Sequence, residues 1–248
     1  MKENEMIFGI RAIIEAVKSD KQIDKIILKN DMQSELAKEL FNAIKGFSHI
    51  QVQRVPLERL NRYTHKNHQG AIAFVSQTTY QLVSDIVPTL YEEGKTPFFV
   101  VLDGVTDVRN FGAIARTCEC GGVDAIVIPV KGGASVNADA VKTSAGALHT
   151  LPVCKESNLG SALKYLKQCG IRIVVASEKG NKNYTEANLY DPVAIVMGAE
   201  DKGVSPEILR LCDEMVSIPI KGNISSLNVS VAAGIMIYEG VKQRMSQV

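Results

Sequence analysis

No stretch of this chain reaches the run of about 18 apolar residues that a membrane-spanning helix needs. The first residues, Met1-Lys2-Glu3-Asn4-Glu5, are polar and mixed in charge, and they lack the apolar segment of a signal peptide. Together these absences predict a cytoplasmic protein. The five cysteines are Cys118, Cys120, Cys154, Cys169 and Cys212. Their number is odd, and no C-x-x-C pair or neighbouring Cys/His pair is present, so the spacing excludes the usual zinc patterns and no metal is expected. They read as reduced, buried thiols that act as small apolar residues. A phosphate-binding loop of the G-x-x-x-x-G-K-[ST] type is missing. So is a G-x-G-x-x-G following a strand, which leaves an ATPase or a nicotinamide dehydrogenase unsupported. Net charge is also nearly absent, at +1, so nucleic acid is not announced by overall electrostatics.

What is present is ordinary in bulk and uneven in distribution. The 248 residues are 46% hydrophobic and 22% charged, enough for one large domain or two small ones. Residues 1–78 hold twelve Lys and Arg against nine Asp and Glu, with His49, His65 and His68. The densest stretch contains Arg54, Arg59, Arg62, Lys66 and His68, with Glu58 as its single acid. Such a stretch attracts phosphates without regard to sequence, and it also suits a solvated loop.

Hydrophobic periodicity separates two regions. In residues 1–78, Ile10, Ile13, Ile14 and Val17 sit at helical spacing, and Leu36, Leu40 and Ile44 predict a second helix. Residues 25–28, 50–55 and 71–75 read as strands, which makes a small α/β module. Residues 79–96 read as a linker holding a short helix through Leu82, Ile86 and Leu90. Residues 97–248 contain five short apolar runs, at 98–102, 125–128, 171–176, 194–197 and 215–220, with helices between most of them. Runs of that kind indicate a parallel sheet buried on both faces. Such sheets place ligands beyond the carboxyl ends of their strands.

Three post-strand segments stand out. After 98–102, a polar loop enters a helix with Asn110 as its expected N-cap. Arg116 follows inside that helix, among small residues. It reads either as a surface or dimer-contact residue or as a guanidinium aimed at phosphate. After 194–197 comes Gly198-Ala199-Glu200-Asp201-Lys202-Gly203, where the glycines allow close backbone approach, and Ser205-Pro206 fits the start of a helix. After 215–220 comes Lys221-Gly222-Asn223-Ile224-Ser225-Ser226-Leu227-Asn228, leading into a small-residue helix that continues to about Arg244.

These segments resemble the motifs of the SpoU/TrmH family of RNA ribose 2′-O-methyltransferases, in the SPOUT superfamily. Asn110, Gly112, Ile114, Arg116 and Thr117 match N-x-G-x-I-x-R-T. Met197, Gly198, Glu200 and Gly203 match M-G-x-E-x-x-G. Ile218, Pro219 and Ile220, followed by Ser226 through Ala232, match the third motif. Lys142 through Ala147 is also similar to a family segment. Val108 stands where the family often has Pro. Residues 7–12 and 68–73 resemble the family's small ribosomal-protein-like substrate-binding domain, which favours RNA contact for Arg54, Arg59, Arg62, Lys66 and His68. Among the family's groups the chain resembles the RlmB-like 23S rRNA guanosine-2′-O-methyltransferases.

The resemblance implies an α/β fold whose C-terminal parallel sheet carries a deep trefoil knot, preceded by the small α/β substrate-binding domain. It also implies a homodimer and S-adenosylmethionine as cofactor, held near Ser177, Gly198, Ile218 and Leu227. Arg116 would bind the phosphate beside the target ribose and stabilise the developing alkoxide. Ser226 and Asn228 would orient the ribose. Asn110 and Glu200 would shape the site, with Glu200 holding Arg116 or loop amides.

Overall fold

The computed structural model describes residues 6–246. The chain divides into two compact units. One takes the described residues up to Thr79 together with Ser135–Asn137, and the other takes Tyr80–Ala134 and the residues from Ala138 onward. Among the described residues, no helix is long and apolar enough to cross a membrane.

The first unit has four strands: β1 (Met6–Phe8), β2 (Ile23–Lys29), β3 (Gln51–Val55) and β4 (Ala71–Val75). They form one sheet in the order β1-β4-β2-β3. Helix α1 (Ile10–Lys18) buries Ile10, Ile13, Ile14 and Val17 on the face that the spacing predicted. Helix α2 (Glu35–Ile44) starts at Ser34, whose hydroxyl accepts from the Ala37 amide, and buries Leu40 and Ile44. A short helix, α3 (Leu57–Asn61), lies inside the basic stretch and sends Leu60 to the sheet's other face, with Ile27, Val55 and Ile72. Its single turn and single buried anchor were too little periodicity to detect.

The second unit is built on eight parallel strands in the order β10-β12-β9-β11-β6-β7-β8-β5. In chain order they are β5 (Tyr80–Gln81), β6 (Phe98–Asp103), β7 (Ala125–Pro129), β8 (Val153–Glu156), β9 (Arg172–Ala176), β10 (Lys182–Asn183), β11 (Val193–Gly198) and β12 (Glu214–Ser217). Helices α4 (Val83–Glu92) and α7 (Leu159–Gln168) cover one face through Phe99, Val101, Val127, Val175 and Val196. On the other face α9 (Val229–Met245) packs on Phe98, so closely that a Cβ on Gly240 would stand 2.8 Å from the ring. Also in this unit are α5 (Val108–Cys120), α6 (Ala138–Thr143) and α8 (Pro206–Leu209). Burial of each large apolar side chain stabilises by about 1.5–3 kcal/mol.

The structure corrects several expectations. Residues 80–92 are not a linker, because β5 pairs with β8 and α4 buries Val83, Ile86, Val87 and Leu90. Three strands of the sheet escaped the apolar-run criterion. In β8 the run is broken by Lys155, which is buried with its ammonium 4.4 Å from the Tyr80 ring centroid. The last strand stops at Ser217 rather than continuing to 220, since Pro219 has no amide to donate. The cysteines are not uniformly buried. Cys118 and Cys154 are, and burial pushes both thiols well above their ordinary range, whereas Cys120 is exposed.

One side chain ties the end of the chain to the start of β6. Arg244 donates to the main-chain oxygens of Thr96, Pro97, Leu189 and Asp191, with its guanidinium 4.4 Å from the Phe98 ring centroid. Lysine has no planar fork to match those four acceptors. Arg244→Lys is expected to lose about 1–3 kcal/mol, read as a lower urea midpoint at unchanged m-value.

Candidate active site at the carboxyl edge of the sheet

The chain leaves β6 toward β7 and β8 on one side, and β11, β9 and β12 lie on the other. This reversal beside β6 and β11 opens a crevice beyond their carboxyl ends. Asp103, the last residue of β6, accepts the Ser205 amide at 2.7 Å and so ties the two post-strand loops together. Ala199 and Gly203 exchange main-chain hydrogen bonds, folding 199–203 into a tight turn that presents Glu200. Gly198 is required there, because a Cβ would meet the Gly203 carbonyl carbon at 2.2 Å.

A cavity of about 390 Å³ lies between the turn after β9, the 198–203 turn and the segment leading into α9. Ser177, Gly198, Ile218 and Leu227, from three separate segments, all line it, as do Glu200 and Ser226. Its size suits a small organic ligand with apolar and polar parts. Lys179, which the sequence reading missed, also lines it, as do Lys202 and Ile220, which lie in segments that reading singled out but were given no part in holding a ligand. Each lies within four residues of a strand end, and that position was the available signal.

Beside the cavity, Glu200 gathers the other motif residues. Its Oε1 accepts from Asn228 Nδ2 at 2.6 Å, Asn110 Nδ2 at 3.2 Å and the Val229 amide at 3.3 Å. Asn228 Nδ2 also donates to Asn110 Oδ1 at 3.1 Å. The Oδ1 of Asn228 accepts from the amide and hydroxyl of Ser230, so Asn228 is the N-cap of α9. A carboxylate accepting three N–H groups is a charge-assisted junction. It joins segments 118 residues apart in the chain.

Two expected details differ. Asn110 is not the N-cap of α5. Asp107 is, accepting from the amides of Arg109 and Asn110, which leaves the Asn110 side chain free to reach Glu200. Val108 then takes the first helical position, where Pro is well suited, so valine there loses only pre-organisation. Glu200 holds a loop amide as expected but not Arg116, which is exposed on α5 and does not line the cavity.

His68 is buried. Its Nδ1 accepts the Gly70 amide at 3.0 Å and its Nε2 lies 2.9 Å from Asn61 Oδ1, which assigns a neutral ring with Nε2 as donor and a turn-holding role. Of the other basic residues in that stretch, Arg54 donates to the carbonyls of Asn30 and Met32 and stacks on Phe41. Lys66 lies over Phe8, and Arg59 and Arg62 are exposed.

Comparison with known proteins agrees with this geometry. Residues 97–238 match the SpoU rRNA Methylase family, and residues 6–81 match a family described as RNA 2′-O ribose methyltransferase substrate binding. The chain is 36% identical to the 23S rRNA (guanosine-2′-O-)-methyltransferase RlmB of Photorhabdus laumondii, covering 98% of this chain and 100% of that protein. It is also 36% identical to the enzyme of the same name from Shewanella oneidensis, over 99% of this chain and 100% of that one. Among solved structures it is similar to the SpoU methyltransferase AviRb from Streptomyces viridochromogenes, in complex with AdoMet, with TM-score 0.62, 24% identity and coverage of 97% and 90% of the two chains. A TrmH/SpoU tRNA modifying enzyme from A. aeolicus matches at 32% identity and TM-score 0.57, over 66% of this chain and 85% of its own.

The junction predicts different outcomes for two substitutions. Asn228→Ala removes the cap and both donated bonds, and should cost about 0.5–2 kcal/mol of stability. Asn228→Asp keeps a capping oxygen but sets a second carboxylate against Glu200. Near-wild-type thermal stability with faster amide exchange in 218–228 is expected for Asn228→Asp. Equal exchange in the two proteins would remove the junction's role in holding that segment.

Proposed function

This chain belongs to the SpoU rRNA Methylase family, and on that footing we propose that it transfers a methyl group from S-adenosylmethionine to a ribose 2′-hydroxyl of ribosomal RNA, at a guanosine of 23S rRNA as its relatives' names describe. The observation that carries the reading is the cavity at the carboxyl edge of the sheet, walled by the family's second and third motifs and flanked by the Asn110–Glu200–Asn228 junction.

The cavity fits the cofactor by size and by its mixed lining. Backbone at Gly198, Ile218 and Leu227 would hold it, with Ser177 at the far wall. When bound, S-adenosylmethionine would supply an activated methyl on a sulfonium to the ribose oxygen, whose proton would pass to water as the sulfur is left a neutral thioether. The protein's task is therefore positioning and charge stabilisation. Ser226 and Asn228 orient the ribose, and Glu200 and Asn110 keep that segment against the cavity. A guanidinium is a poor proton acceptor, so Arg116 binds the neighbouring phosphate and stabilises the forming alkoxide rather than taking the proton.

The other readings belong to the same proposal. The first unit binds the RNA, with Arg59, Arg62 and Lys66 toward it and His68 holding the turn. A trefoil knot in the second unit is carried by the family resemblance. A homodimer fits the exposed apolar residues of α9, Val231 and Tyr238. Cytoplasmic ribosomal RNA sets the location. The alternative substrate, transfer RNA, is favoured by the A. aeolicus enzyme, but that match covers only 66% of this chain. A binding protein without turnover is disfavoured by the complete motif set.

Labelled methyl transfer to separate unmodified 23S, 16S and transfer RNA, followed by nuclease mapping, tests the reading. Label on a 23S ribose 2′-oxygen is expected. Label confined to transfer RNA would overturn the substrate and keep the chemistry. Arg116→Ala should bind the cofactor with unchanged affinity and lose at least about a hundredfold in turnover. Wild-type turnover would remove Arg116 from the mechanism.

A further inference from the structure

The second unit is slightly acidic, with sixteen Lys and Arg against eighteen Asp and Glu over residues 79–248. Exposed cations nevertheless recur along one edge of its sheet, among acids. At the amino edge, beside the start of β7, an open groove is lined by Asp85, Glu93, Glu119 and Asp124, with Lys95. At the carboxyl edge, five consecutive strands of the sheet are each followed by an exposed cation. Lys221 follows β12, Lys179 follows β9, Lys202 follows β11, Arg109 follows β6 and Lys131 follows β7.

None of these five makes an ion pair among the described residues. Lys95, Lys167, Lys182, Arg172 and Lys242 of the same unit all do. The acids at this edge are mostly engaged. Asp103 holds the Ser205 amide, Asp107 caps α5, Glu156 accepts the Val83 amide and Glu200 holds the Asn228 junction. Glu178 and Asp201 remain, each adjacent in sequence to one of the lysines.

Neighbouring strands lie about 4.8 Å apart, so the five strand ends span about 19 Å. The row runs past the cavity, whose lining includes Lys179 and Lys202. Unpaired cations ranged along one edge suit a polyanion. A folded core does not call for them, since an unpaired surface lysine adds little stability.

We propose that the carboxyl edge of the parallel sheet is a second RNA-binding surface, on which Lys221, Lys179, Lys202, Arg109 and Lys131 track the phosphates of the single strand flanking the target nucleotide. It rests on the function proposed above and adds a contact that the substrate-binding unit does not supply. Phosphate contacts fix register and orientation without reading bases. The track therefore sets which ribose comes to the cavity by where the strand lies, and base selection comes from elsewhere.

The test uses the full chain and an unmodified 23S rRNA fragment. The variant Arg109→Ala/Lys131→Ala/Lys221→Ala avoids both cavity lysines and the motif residues. Each lost contact to a single strand should reduce the slope of log K against log salt by about 0.7, or about 2 for the three. The KM for RNA should rise about tenfold, with kcat and S-adenosylmethionine affinity unchanged. The charge-keeping variant Arg109→Lys/Lys131→Arg/Lys221→Arg should restore the slope. Lys164→Ala, on α7 away from this edge, should leave it unchanged. An unaltered slope and KM in the triple alanine variant, with the wild type methylating the fragment, would overturn the track and leave the proposed function standing. No methylation of any RNA by the wild type would strike at the proposed function itself.

Discussion

All eight strands of the second unit run in one direction, so every strand ends on the same edge of one sheet. That constraint gathers loops far apart in the chain, and the Glu200 carboxylate joins them into one site. Asn110 comes from the loop and helix after β6, Glu200 from the turn after β11, and Asn228 from the segment after β12. The first layer of support is backbone. Asp103 holds Ser205, Asp107 starts α5, and Gly198 lets the Gly203 carbonyl come close. The charged and amide side chains of the motifs then meet without any of them being deeply buried.

The same parallel order divides labour between the edges. Polar groups at the amino edge serve the fold. Asp124 accepts the Phe98 amide, and burial raises its pKa. Arg244 spends its donors on four carbonyls. At the carboxyl edge Asp103, Asp107, Glu156 and Glu200 accept from amides, while Lys179, Lys202, Lys221, Arg109 and Lys131 are exposed and make no ion pair among the described residues.

Polar residues in the first unit divide in a similar way. His68 looks from composition like part of a basic surface, yet it is enclosed in the turn before β4 as a neutral ring. Arg54 has its guanidinium on two carbonyls and a ring. Arg59 and Arg62 remain exposed, in the last turn and at the C-cap of α3, which a buried Leu60 anchors.

Much of this was legible in one dimension. The almost fully apolar runs of β6, β7, β9 and β11 indicated a sheet covered on both faces, and their carboxyl ends located the segments that form the cavity. The family motifs lie in those segments because a ligand site at a strand end needs contiguous glycines, amides and small residues. The pairing of those residues was not legible. Nothing in the spacing tells that Asp107 rather than Asn110 caps α5, that Glu200 accepts from Asn228 rather than from Arg116, or that Lys155 is buried in β8 against Tyr80. Local periodicity reports which face of an element is apolar, because burial acts residue by residue. Partner choice among polar groups depends on which strand ends become neighbours, and only the order of strands in the folded sheet decides that.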